Sequence, residues 1–155
     1  MEYNSIFEII GPRMMGPSSS HTAGAVLIGK NARELYDKRY TDNLVEAEIY
    51  LYGSFARTYK GHATDIATIG GILGLDPTDT RIREAYSLAQ EQGIYINIIP
   101  MTGDIPVNKN EPTGENNPHL NTVKIVLKNQ RGMTLSVTGV SIGGGSYKII
   151  DVQDS

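Results

Sequence analysis

Alternation of apolar and polar residues on both sides of a short polar turn most constrains how this chain can fold. Apolar side chains recur at every second position before residues 129–132 and again after them. This is the pattern of two strands that each bury one face, joined as a β-hairpin. The chain must therefore contain an antiparallel sheet packed against a core. The alternating residues are Val123, Ile125, Leu127, Met133, Leu135 and Val137.

Helical and strand patterns follow one another in the rest of the chain, and no internal repeat is visible. Asp79 or Thr80 is the expected cap of one helix, and Gly93 is its expected stop. We expect one α+β domain over residues 1–155, with helices packed on a mixed or antiparallel sheet. Helices are predicted at 23–36, 64–73 and 79–92, strands at 44–52, 94–99 and 147–152, an amphipathic lead-in at 2–10 and a long loop at 100–118.

Composition narrows the classes of function. The net charge is −3 and basic residues form no stripe, so we expect no nucleic-acid partner. Apolar runs are too short for a membrane span and no signal segment opens the chain, which predicts a cytoplasmic protein without membrane contact. Cysteine is absent, so this polypeptide cannot supply disulfides, thiol nucleophiles or cysteine-ligated clusters.

A run of hydroxyl residues with one imidazole precedes the first predicted helix. It consists of Ser18, Ser19, Ser20, His21 and Thr22, and we predict it as a loop. A helix N-terminus attracts anions, and serine hydroxyls cap its free N–H groups. An ordinary cap needs one hydroxyl, so the whole run favours a binding site for a carboxylate or a phosphate.

All three histidines lie in polar segments marked by glycine or proline. They are His21, His62 at the start of a predicted helix, and His119. Histidine transfers protons near neutral pH, although a lone histidine is more often a structural residue. A hydrolase built from Ser20, His62 and Asp65 is formally open, but the sequence has no nucleophile elbow around Ser20.

The glycine run Gly143, Gly144 and Gly145 could cradle a phosphate, but a bend between two strands explains it as well. Histidine spacing gives no self-contained zinc site. The residues alone thus indicate an anion site with a candidate histidine base, and they leave the reaction open.

Several motifs together resemble one family over essentially the full chain. The chain is similar to the β chain of the iron–sulfur-dependent L-serine dehydratases. The motifs are GP at 11–12, GPSSSHTAG at 16–24, LYGSFA at 51–56, GHATD at 61–65 and TGVSIGGG at 138–145.

This resemblance implies a lyase that converts L-serine to pyruvate and ammonia without pyridoxal phosphate. An α chain would hold a [4Fe–4S] cluster whose open iron acts as a Lewis acid on the substrate hydroxyl. Loss of the Cα proton and of that hydroxyl would give an enamine that hydrolyses to pyruvate. The fold would be similar to the allosteric-substrate-binding domain of phosphoglycerate dehydrogenases. The implied partners are the α chain and L-serine, and a homodimer is a further candidate assembly.

The resemblance also implies roles for individual residues. His62 would be the catalytic base for the Cα proton, and Asp65 would set its tautomer. The run from Ser18 to Thr22 would bind the carboxylate or amino group of serine. No residue of this chain would bind a metal. The full set of implied substrate-binding residues is Ser18, Ser19, Ser20, His21, Thr22, Asp65, His119, Asn121, Gly143, Gly144 and Gly145.

The chain also departs from the family pattern. Leu120 stands where the family has a proline, residues 103–118 look longer than the usual connection, and we expect no regulatory ACT domain in this sequence. The alternative function is a non-catalytic regulatory domain that binds serine or another small carboxylate.

Overall fold

The computed structural model of the protein describes residues 17–101, 121–143 and 145–155, with the backbone alone at 17–21 and 60–62. The helices are α1 (Pro17–Arg39), α2 (Ser54–His62), α3 (Thr64–Ile72) and α4 (Ala85–Glu91), and a 3-10 helix at Thr80–Glu84 leads into α4. The strands are β1 (Leu44–Tyr52), β2 (Tyr95–Pro100), β3 (Asn121–Asn129), β4 (Thr134–Gly143) and β5 (Ser146–Asp154).

Within the described ranges the strands form one sheet of five, in the order β2-β1-β3-β4-β5. β1 and β2 are parallel, and the other neighbours are antiparallel. The predicted hairpin is β3 and β4, and the Oδ1 atom of Asn129 accepts hydrogen bonds from the backbone of Arg131 and Met133 in its turn. This mixed sheet with helices confirms the α+β fold class; the likeness to the phosphoglycerate dehydrogenase domain stays a prediction.

One face of the sheet forms the core together with α1. The register aligns Ile49, Ile125 and Val137 across three adjacent strands, and all three are fully buried. Ile28 of α1 packs directly over Gly139 of β4, where a Cβ atom would lie 2.8 Å from the Ile28 Cγ2 atom. The alternation that predicted the hairpin therefore sets which face receives the helix.

Two glycines let α1 cross α3 with their backbones in contact. A Cβ atom at Gly71 would overlap the carbonyl oxygen of Val26 and lie 2.7 Å from the amide nitrogen of Lys30. A Cβ atom at Gly29 would lie 3.1 Å from the amide nitrogen of Ile72. These glycines lower helix propensity, but they permit a separation that no larger residue would allow.

Most predicted elements are confirmed, but the first helix is longer than predicted and one helix was missed. The strand at 44–52 is β1, and the helix at 64–73 is α3. The first helix begins at Pro17 rather than at residue 23, because proline suits the first helical position and needs no N–H partner there. Helix α2 was not predicted, since glycines near both of its ends suggested breaks.

The helix predicted at 79–92 is wrong in its first half, which is a 3-10 helix. Its predicted cap is confirmed, since the Oδ1 atom of Asp79 accepts from the Arg81 amide at 2.9 Å. The Arg81 guanidinium folds back onto the same carboxylate at 2.7 Å, and these hydrogen bonds hold the pKa of Asp79 below its usual range. Gly93 ends α4 with a positive φ of 74°, as predicted.

Two predicted segments fall largely outside the described part of the chain. They are the lead-in at 2–10 and the loop at 100–118, of which Pro100 and Met101 are described. In the described ranges, no helix has the length and apolar character needed to cross a membrane.

The α1–α3 crossing generates a stability prediction. We expect Gly71→Ala to lower the free energy of unfolding by about 2–3 kcal/mol, because its Cβ meets backbone that cannot rotate away. Chemical denaturation monitored by circular dichroism measures this loss. Gly132→Ala is the matched control, because Gly132 has a positive φ but no atoms close enough to meet a Cβ atom. This variant should lower the free energy of unfolding by about 1 kcal/mol. Equal stability of Gly71→Ala and the wild type would contradict the crossing.

Candidate functional site

The serine run lies inside α1, in its first turns. The prediction of a loop at Ser18, Ser19 and Ser20 is therefore wrong, since the helix already includes them, and His21 follows in the second turn. The first-turn N–H groups of a helix have no acceptor within it, so they favour an anion. The first turn of α1 carries no acidic residue that would oppose one. The predicted anion preference thus keeps its physical basis, although the loop does not.

A close contact places the start of α1 at one end of the sheet. A Cβ atom at Gly24 would lie 2.9 Å from the Ser141 Cβ atom and 3.3 Å from the carbonyl oxygen of Ser146. One turn later, Ile28 lies over Gly139. Helix α1 therefore runs antiparallel to β4, since the step back from Ile28 to Gly24 follows the strand from Gly139 to Ser141. The first turn of α1 lies further along this line, beyond Ser141 and toward Gly143.

The glycine run forms the connection between β4 and β5. Gly143 and Gly145 have φ values of 89° and 76°, which L-residues with a side chain rarely adopt. Gly143 pairs with Ser146, so the connection is tight. The expectation of a bend between two strands is confirmed at these positions, and Gly144 lies outside the described residues.

Asn121 brings a buried hydrogen-bond acceptor to the same end of the sheet. It is the first residue of β3 and pairs with Ser141, which is fully buried. Asn121 is 8% exposed, and its Oδ1 atom has no hydrogen-bond partner among the residues that the structure describes. A buried polar atom without a partner costs about 1–3 kcal/mol, which a donor supplied by a ligand would recover.

Two buried threonines flank this cluster. Thr22 of α1 is 1% exposed, two residues before Gly24. Thr122 is fully buried and pairs with Tyr52, the last residue of β1. Its Oγ1 atom has no hydrogen-bond partner in the described part of the chain. Since neighbouring residues of a strand point to opposite faces, Asn121 and Thr122 present polar atoms on both faces of this end. The start of α1, the start of β3 and the β4–β5 turn therefore meet here.

The second predicted group of residues lies at the corner between α2 and α3. His62 is the last residue of α2, which was not predicted, and the helix that was predicted after it begins two residues later, at Thr64. The break falls one residue later, at Ala63, whose left-handed conformation (φ 60°, ψ 24°) is unusual for a residue with a Cβ atom. The Ala63 N–H caps α2 by donating to the carbonyl oxygen of Tyr59.

Asp65 lies in the first turn of α3, just after this corner. Its Oδ2 atom accepts a hydrogen bond of 2.8 Å from the hydroxyl of Tyr86 at the start of α4. Partial burial and the Asp65 carboxylate raise the pKa of the half-exposed Tyr86, so the hydroxyl stays protonated and donates. Nothing in the sequence indicated this partner, which lies 21 residues away. The predicted pairing of Asp65 with His62 stays a prediction.

The two groups are connected through β1. Tyr52 pairs with Thr122 and is followed after one residue by α2, so α2 leaves the sheet at the end where Asn121 lies. His119 lies outside the described residues. In the ranges that the structure covers, no three His, Asp or Glu side chains are grouped to hold a metal ion, and the sequence has no cysteine.

Comparison with known proteins assigns the chain to a family. Residues 5–151 match the family model described as "Serine dehydratase beta chain". The chain is 45% identical over 152 residues to the probable L-serine dehydratase, beta chain, of Bacillus subtilis, covering 98% of this chain and 61% of that protein. It is 44% identical over 149 residues to the L-serine dehydratase, beta chain, of Peptoniphilus asaccharolyticus, covering 96% of this chain and 60% of that protein.

A more distant relative carries a different name. The L-serine dehydratase TdcG of Escherichia coli is 33% identical over 148 residues, which cover 84% of this chain and 30% of that protein. The chain thus spans about three fifths of the length of the two beta chains above. The match over nearly the whole sequence confirms the predicted family, and the chain belongs to the serine dehydratase beta chain family.

Proposed function

We propose that this chain is the β component of an L-serine dehydratase that forms pyruvate and ammonia from L-serine together with an α chain. Two relatives are named as beta chains of L-serine dehydratases, which supports both the reaction and a second subunit. The structural observation that carries the proposal is the unpartnered Oδ1 atom of Asn121 beside the start of α1. A hydrogen-bond acceptor beside a helix end that favours anions suits the two charged groups of an amino acid.

In this proposal the substrate carboxylate binds at the first turn of α1. The free N–H groups there and the hydroxyls of Ser18, Ser19 and Ser20 would donate to it. The ammonium group would donate to the Asn121 Oδ1 atom, which lies on the strand next to Ser141. Because Gly24 packs against Ser141, the two binding groups are held together by the same helix–sheet contact.

Proton transfer is assigned to the corner between α2 and α3. His62 would take the proton from the substrate Cα atom, and Asp65 would orient it. The left-handed Ala63 fixes the direction in which α3 leaves this corner. Strained backbone of this kind persists where the surrounding structure holds it, often beside functional residues.

The α chain is expected to carry the iron–sulfur cluster. Such clusters are held by cysteine thiolates, and this chain has no cysteine, so its residues do not fit the group. Our proposal for this chain is therefore limited to binding the amino acid and moving its proton.

The roles proposed for His62 in proton transfer and for Ser20 in carboxylate binding predict a loss of turnover. With the α chain present under anaerobic conditions, His62→Ala and Ser20→Ala should each lower pyruvate formation by about 100-fold or more, as expected for acid–base and positioning groups. Ser87→Ala, an exposed change on α4, is the control and should keep wild-type activity. Wild-type turnover by the His62 variant, with serine still bound, would favour a regulatory binding domain instead.

The role of Asn121 predicts an effect on substrate affinity. Asn121→Leu should raise the KM for L-serine by about tenfold or more with little change in kcat, because it removes a hydrogen bond to a charged group. Its melting temperature should fall less than that of a variant that loses hydrogen bonds to its Oδ1 atom, since the Asn121 Oδ1 atom has no partner in the described part of the chain.

Asn129 at the other end of β3 provides the matched control. Its Oδ1 atom accepts two backbone hydrogen bonds of 2.9 and 3.0 Å in the hairpin turn. Asn129→Leu should therefore lower the melting temperature and leave the KM unchanged. The assignment of Asn121 is wrong if both variants melt lower and neither changes the KM.

A further inference from the structure

We propose that Tyr86 is a positioning residue of the proposed serine dehydratase site, which it serves by holding the carboxylate of Asp65. The inference rests on the proposed function, because the proposed function assigns to Asp65 the orientation of His62. It adds a residue from α4, an element that none of the sequence motifs includes.

The geometry places Tyr86 against the corner that carries His62. The Tyr86 hydroxyl donates to the Asp65 Oδ2 atom at 2.8 Å, and Asp65 is the second residue of α3. His62 ends α2 three residues before Asp65, with only Ala63 between the two helices. Tyr59, one turn before the end of α2, is close enough to Tyr86 to raise its pKa. Side chains from α2, α3 and α4 therefore converge at this corner.

The hydrogen bond leaves one carboxylate oxygen for a second donor. The Tyr86 hydroxyl donates to Oδ2 of Asp65 alone, so this bond uses one of the two carboxylate oxygens. A hydrogen bond from a phenol to one oxygen of a carboxylate restricts rotation of the carboxylate and so narrows the directions open to its other oxygen. A carboxylate held in one direction in this way can accept a hydrogen bond from a histidine, and such a bond is the usual means of holding a histidine base in one tautomer.

The location of the bond favours positioning over stabilisation. Tyr86 is 45% exposed, and a hydrogen bond at such a place competes with water. The carboxylate of Asp65 already lies at the N-terminus of α3, where a negative charge is favoured without help. Loss of the phenolic hydroxyl should therefore cost little stability, and its main effect should be on the direction of the carboxylate.

Tyr95 offers a matched control on the same surface. Tyr86 and Tyr95 line one groove of about 470 Å³ between α4 and β2, together with Gln90, Gly93, Ile94 and Ile96. Tyr95 is 65% exposed and pairs through its backbone with β1. Removing its hydroxyl changes the same surface without affecting Asp65.

The test is a double-mutant cycle on the complex of this chain with its α chain. The variants are Tyr86→Phe, Asp65→Asn, their combination, and Tyr95→Phe. We expect Tyr86→Phe to lower kcat about tenfold, with the KM for L-serine within about twofold and an unchanged melting temperature. Asp65→Asn should lower kcat at least as much, and adding Tyr86→Phe to it should cause no further loss. Tyr95→Phe should match the wild type.

Three outcomes would overturn the role of Tyr86. They are wild-type kcat for Tyr86→Phe, losses that multiply in the combined variant, and a fall in melting temperature parallel to the fall in kcat. Failure of the proposed function gives a different result, because the wild-type complex itself would then form no pyruvate from L-serine. An active wild type with a silent Tyr86→Phe variant would reject the positioning role alone.

Discussion

The close approach of α1 to its neighbours is the constraint on which the rest of the structure depends. Gly24 meets Ser141 of β4, Gly29 meets the backbone of α3, and Ile28 fills the space above Gly139. These contacts fix the helix in depth and along its axis, since a shift by one turn would bring Ile28 against Ser141. The N-terminus of α1 is thereby held at the end of the sheet where β4 turns into β5.

Local patterns predicted the parts of the fold that local interactions determine. The hairpin of β3 and β4 follows from alternation around a four-residue turn, and the stop at Gly93 follows from its positive φ. Helix α2 was not predicted, because glycines near its ends are typical of helix boundaries. The helix in fact ends before Ala63, which has the left-handed conformation. That conformation is imposed by the surrounding structure, and alanine gives no sign of it in the sequence.

The candidate site likewise has some features that the local sequence predicts and others that depend on contacts between distant segments. The hydroxyl run and the glycine run were visible as residue types, and the structure places both at the carboxyl end of β4. Two other features depend on contacts between distant segments. The Asn121 acceptor is defined by lacking a partner, and the Tyr86–Asp65 bond joins α4 to α3. Neither can be read from spacing, because each requires knowing which segments meet in three dimensions.

The chemistry of Asn121 suits the site proposed above, which would accept a zwitterion and must still fold when it is empty. A carboxylate at this buried position would also accept from an ammonium group, but without substrate it would be an unpaired buried charge. It would also repel a substrate carboxylate held at the first turn of α1 nearby. An amide oxygen offers an acceptor without a net charge, so the empty site costs less and the helix end keeps its attraction for the anion. In the proposed site, a neutral acceptor beside a helix N-terminus would therefore bind the ammonium group while the helix end binds the carboxylate, and this difference would favour one orientation of the amino acid over the reverse.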